Sequence, residues 1–210
     1  METSWCKRYL IDFWLLVFIG FMLWYRNRAY DRVVSVFLVM VAIVDLLEYG
    51  AFSGMDSFES GRWIYITLWV QVLALAIATY IYVQEILACV YMIVMAVVAS
   101  IFIIYGLFCK DRFVVNSCGW FNDGSSLFLG HYWWVYILGL VIPVILIAYY
   151  KNTSVVVLLL YGLLAAIYVS CSSNEENWAS NWFLLASGIA FICWIIAPLY
   201  SDNCKGNVFI

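Results

Sequence analysis

The sequence predicts an all-α protein: a polytopic transmembrane helical bundle, most simply of seven spans, forming a single domain over residues 1–210. Three observations predict it. Of the 210 residues, 67% are hydrophobic and 11% charged, with a mean hydropathy of +0.99, whereas a soluble domain is about 45–50% apolar and about 25% charged. A water-soluble fold of this size could not cover its surface with so few polar groups, which excludes a soluble enzyme, a secreted disulfide domain and a disordered tail. The apolar residues also gather into runs near the ~20 residues a helix needs to cross roughly 30 Å of hydrocarbon. Finally, Ile86–Val98 and Val155–Ile167 lack the alternation over about 10 residues that marks the strands of a membrane β-barrel.

The first run is Leu10–Tyr25, stopped by Arg26 and Arg28. Lys7 and Arg8 before an apolar core resemble a signal peptide, but no small-x-small cleavage site follows, so this run is read as a retained span. The second run, Val33–Phe52, follows a basic turn ending at Asp31 and Arg32. The third is Trp63–Val83 and the fourth Ile86–Phe108, joined only by Gln84 and Glu85. The fifth, Tyr132–Tyr150, contains Pro143; the sixth is Val155–Ser170, and the seventh, Trp182–Tyr200, has Pro198 near its end. Only the connection from Cys109 to Gly130 is long enough to hold structure of its own.

Trp24, Tyr25, Trp63, Tyr65, Tyr132–Trp134, Tyr149, Tyr150, Trp182 and Tyr200 fall at the ends of these runs. Such rings favour the headgroup level because they are part apolar and part hydrogen-bonding. The positive charges divide evenly between the two sides. The densest short cluster, Arg26, Arg28 and Arg32, places the N-terminus outside and the C-terminus in the cytoplasm.

The seven cysteines form no close metal-ligand pattern. Cys89 and Cys193 read as small packing residues within spans. Cys109 and Cys118 bracket part of the long connection and are candidates for a disulfide on an oxidising side, with Cys6 or Cys171 as alternative partners. Asn152-Thr153-Ser154 is formally a glycosylation sequon, but in a minimal loop on the inner side it reads as coincidence.

The charges that do not sit at ends are the informative ones. Asp45 and Glu48 lie three residues apart on one face of the second span, more than a turn inside it. A carboxylate at such depth costs about 2.5–3.5 kcal/mol on insertion scales. Each therefore needs a partner, the neutral form, or access to water. Gln71 in the third span is expected at about the depth of Asp45, where its carboxamide would bridge the helices, with Thr67 one turn away and His131 on the same side. Two readings follow. Asp45, Glu48, Gln71 and His131 form a proton- or ligand-binding site, or Gln71 and the acids form a structural clamp. Asp12 and Glu85 read as interfacial; Arg62 and Arg112 read as solvated loop charges, with neutralisation of acids at the outer mouth as the alternative.

Several activities are excluded. A retinal Schiff base needs a lysine in a span, and Lys7, Lys110, Lys151 and Lys205 all lie outside; no cofactor is expected. One histidine is too few for a multi-histidine metal centre, so no metal is expected either. Ser187-Gly188 follows His131, the wrong order for an intramembrane serine protease, and no catalytic residue is assigned. A net charge of −3 without a phosphate loop or basic surface argues against nucleic acid as a partner.

Asp45-Leu46-Leu47-Glu48-Tyr49, followed by Trp69-Val70-Gln71 in the next span, resembles a family of uncharacterised multi-pass membrane proteins from large DNA viruses and some protists. His131-Tyr132-Trp133-Trp134, Asn181-Trp182 and Cys193-Trp194 correspond to that family's aromatic span start and Trp-rich last helix. Val72 replaces the proline that usually follows the glutamine. The resemblance implies topology and a viral origin, not a chemistry. The expected partners are the lipid bilayer and other membrane proteins or further copies of the chain. The leading expectation is a membrane scaffold or assembly component. The alternative is a small transporter, channel or receptor using Asp45, Glu48 and Gln71.

Overall fold

The computed structural model describes residues 8–27, 31–108, 114–115, 121–122 and 133–150. The described chain is built of five helices: α1 (Arg8–Arg26), α2 (Asp31–Phe52), α3 (Ser57–Val83), α4 (Ile86–Phe108) and α5 (Trp133–Tyr150). Between α4 and α5 a short ribbon pairs β1 (Val114–Val115) with β2 (Phe121–Asn122), antiparallel, Val114 opposite Asn122. By length and composition α1 to α4 are each able to cross a membrane, the property of a membrane-integral chain; the apolar stretch of α5, Trp134–Ile147, is shorter. The expected spans 155–170 and 182–200, and with them the count of seven, lie outside the described residues.

The largest departure from expectation is the start of α3. The sequence places it at Trp63, where the apolar run begins, yet the helix starts six residues earlier, at Ser57. Asp56 is the cause: its side chain caps the helix, Oδ1 accepting from the Phe58 amide at 3.1 Å. Glu59 then sits in the first turn, where the helix dipole favours an acid, and pairs with Arg62 one turn on. Arg62 is thus a helical, largely covered residue lying over the Trp63 ring and paired with an acid, rather than a solvated loop charge. At the other end Gln84 takes a left-handed conformation and its amide donates to the Tyr80 carbonyl at 2.8 Å. This divides one long apolar stretch into α3 and α4 at the expected place.

Helix α3 is central. Two-thirds of its span (67%) is buried, against 22% for α4. Its fully buried Ile64, Tyr65, Leu68, Trp69, Val72 and Ala76 form the middle of the core, with α2, α4 and α5 packed around it. Lipid removes the usual hydrophobic drive between helices, so close approach of backbones carries much of the association. Gly106 of α4 and Gly139 of α5 provide it: a Cβ on Gly106 would come within 2.7 Å of the Tyr65 ring, and one on Gly139 within 2.5 Å of Val72 Cγ1.

Pro143 lies inside α5 and has no amide hydrogen, so the Gly139 carbonyl four residues earlier loses its helical donor. Tyr91 of α4 replaces it, its hydroxyl donating to that carbonyl at 2.6 Å. Helices α1 and α2 form an antiparallel hairpin with its own two ties. Arg26 grips Asp31 with two bonds of 2.6 and 2.7 Å across the turn, and the Ser35 hydroxyl donates to the Gly20 carbonyl at 2.7 Å.

Candidate functional site

The α1–α2 register brings a third acid to the pair expected from the sequence. Starting at the Ser35–Gly20 bond, eight residues back along α1 reach Asp12, and eight forward along α2 reach Ile43, two residues short of Asp45. Asp12, Asp45 and Glu48 are 9%, 1% and 0% exposed. Asp12, near the end of α1, is thus buried against the rest of the bundle. Glu85, by contrast, is exposed in the α3–α4 connection. Glu48 lies one turn from Asp45 on α2, and the register of the hairpin puts Asp12 at about the same level on α1. Among the described residues neither Asp45 carboxyl oxygen has a hydrogen-bond partner.

Gln71 does not complete this cluster. The expected bridge to Asp45 is absent, and the early start of α3 explains why. Residues 53–56 turn tightly, Met55 donating its amide to the Gly50 carbonyl and Gly54 adopting a φ of +111°, so α2 ends and α3 begins at the same level. Asp45 is seven residues from that level and Gln71 fourteen. At 1.5 Å per residue, Gln71 lies about 10 Å deeper than Asp45. Its Oε1 instead accepts a 2.8 Å bond from the Tyr136 hydroxyl of α5, while its Nε2 is buried without a hydrogen-bond partner among the described residues.

Tyr136 belongs to an aromatic group around α3. Trp69 stacks on Phe102 of α4 with centroids 4.0 Å apart and planes 5° from parallel, and meets Tyr136 edge-on at 6.2 Å. Thr67 is buried on the same helix. The structure therefore holds two polar loci where the sequence predicts one: a carboxyl group of three on α1 and α2, and a Gln71–Tyr136 pair on α3 and α5.

Asp12 and Tyr136 are the residues missed. Asp12 was legible as an acid four residues inside a run that proves to start at Arg8. A tyrosine buried in an apolar helix needs a hydroxyl partner, which was the available signal for Tyr136. His131, Cys109, Cys118, Cys6, Cys171, Cys193, Arg112 and the Asn152 sequon lie outside the described residues. Cys89 is a free cysteine, half-buried on α4.

Chemically, a carboxylate cut off from water needs donors, and Asp45 has none among the described residues. Such an atom is either the seat of a bound species or a standing cost to stability. Comparison of the chain with protein-family models, with curated proteins and with solved structures gives no match.

Proposed function

We propose that the protein is a small multi-pass membrane protein, a transporter, channel or receptor, that binds a proton or cation at Asp45 between Glu48 and Asp12. One observation carries this reading. Asp45 is 1% exposed with both oxygens lacking a hydrogen-bond partner among the described residues. A clamp would give that carboxyl a donor; a site leaves it open for what it binds. The seven-span bundle with an outer N-terminus, and a place in the viral and protist family, belong to this proposal.

The test is reconstitution into liposomes containing a proton-sensitive dye, with sodium and potassium gradients applied in turn. Wild-type protein should carry a flux that Asp45→Asn with Glu48→Gln abolishes. An unchanged flux in that double variant overturns the reading.

A second reading, a membrane scaffold or assembly component, draws on the outer surface. Trp14, Phe18 and Phe21 of α1 and Phe108 of α4 are all more than half exposed. It predicts self-association or a co-purifying partner in mild detergent, and a lone monomer overturns it.

A further inference from the structure

We infer that Asp45 is reached along a polar track on one face of α3, open at the α2–α3 end of the bundle and closed at the Gln71–Tyr136 bond. This rests on the site reading above and gives it a route and a side. Ser60, Thr67 and Gln71 follow one another at spacings of seven and four residues, so they share one face of the helix. They are 0%, 9% and 0% exposed, a line of polar side chains within the buried surface of the central helix. Gly106 of α4 fits against Tyr65 and Ile66, and Phe102 of α4 stacks on Trp69. Helix α4 therefore covers the side of α3 about half a turn from the polar face. Helix α2, which carries Asp45, packs on α3 as well.

Depth aligns the track with the acids. From the level at which α2 ends and α3 begins, Ser60 is three residues in, Glu48 four, Asp45 seven and Thr67 ten. At 1.5 Å per residue Ser60 stands at the depth of Glu48, and Thr67 about 4–5 Å beyond Asp45. Past Gln71 the same face continues as Leu75 and Ala78, both buried and apolar. The track thus ends where the Tyr136 hydroxyl meets Gln71 Oε1 at 2.8 Å.

A packing role would look different. The buried hydroxyls of Ser35 and Thr79 donate to the Gly20 and Leu75 carbonyls, each at 2.7 Å, as hydroxyls do when hydrocarbon surrounds them. Ser60 Oγ and Gln71 Nε2 have no hydrogen-bond partner among the described residues, and they mark the two ends of the track. Buried polar atoms of this kind are completed by water or by a bound ion.

Thiol accessibility in the full chain tests the route. Ser60→Cys, Thr67→Cys and Leu75→Cys, with the exposed Met55→Cys as reference, are reconstituted in liposomes. Each is treated with a membrane-impermeant trimethylammonium methanethiosulfonate. The thiolate displaces methanesulfinate and forms a mixed disulfide, which peptide mass spectrometry locates among the native cysteines. The expected result is modification of Met55→Cys, Ser60→Cys and Thr67→Cys, none of Leu75→Cys, and loss of flux in the modified Ser60→Cys chain. Modification of Met55→Cys alone, or of Leu75→Cys as readily as Thr67→Cys, overturns the track. Hydroxyl-radical footprinting makes the same test on the wild-type chain. Water in the track should oxidise the fully buried Ile64, on the same face at the depth of Asp45, and spare Leu75. Equal protection of the two overturns the track. A flux that Asp45→Asn with Glu48→Gln abolishes while the track stays unlabelled overturns the route and leaves the site reading. A labelled track with flux unchanged in that double variant overturns the site reading and leaves an aqueous cleft.

Discussion

The hydroxyl of Tyr91 on α4 occupies the carbonyl of Gly139 on α5, at 2.6 Å, where Pro143 withholds the amide that would otherwise fill it. A proline is tolerated in an apolar helix only when a neighbour satisfies the group it frees. The two helices are thus tied at the point where α5 is weakest. Tyr91→Phe should destabilise the protein by about 0.6–1.7 kcal/mol, the range measured for hydrogen bonds between membrane helices. Pro143→Ala restores the helical donor and should make Tyr91→Phe nearly neutral. Equilibrium unfolding of the four members of that cycle in bicelles checks it.

A second prediction concerns the close approach of α5 to α3. Gly139→Val places carbon within 2.5 Å of Val72 Cγ1 and 3.2 Å of Met95 Cε. The expected loss is about 1–3 kcal/mol, the usual cost of overpacking. Val72→Ala should recover part of it, because it vacates the same space. Thermal unfolding of both variants reads the effect.

Separation of the two polar loci makes a third. The Gln71–Tyr136 bond and the Asp45 carboxyl belong to different helix pairs, at depths that differ by about 10 Å. Tyr136→Phe and Asp45→Asn should therefore add within about 0.3–0.5 kcal/mol in unfolding free energy, as distant sites do. A larger coupling would restore the single cluster that the sequence predicts.

Much of this architecture is legible in the sequence, and the exceptions have physical causes. Helix α4 is bounded at Ile86 and Phe108 as its apolar run is, its start set by the left-handed turn at Gln84. Helix α3 runs past its apolar run because capping by Asp56 and the Glu59–Arg62 pair support a helix without hydrophobicity. That error in one boundary moved Gln71 by nearly two turns and made it appear to face Asp45. Burial of Asp45 and Glu48 follows from depth in an apolar run, which composition reveals. The partnership of Asp12 with them depends on the α1–α2 register, fixed by the Ser35–Gly20 and Arg26–Asp31 contacts, and no periodicity in either helix encodes it.

The fourth prediction sets stability against function. Replacing a buried carboxyl that lacks donors by an apolar group of similar size removes a cost of about 2.5–3.5 kcal/mol on insertion scales. Asp45→Leu should accordingly raise the unfolding temperature while abolishing ion flux. Gain of stability with loss of activity marks a residue kept for what it binds. If Asp45 were a clamp, the same substitution would lower the unfolding temperature.

The central proposal is that buried Asp45 takes up a proton or cation. Infrared difference spectroscopy of the full chain in lipid, recorded between alkaline and acid buffer, reads this at the carboxyl itself. The account predicts a carbonyl-stretch band of a protonated acid that grows in acid, is present in wild type and Gln71→Leu, and is missing in Asp45→Asn. A spectrum in which Asp45→Asn leaves every pH-dependent carboxyl band unchanged would contradict it.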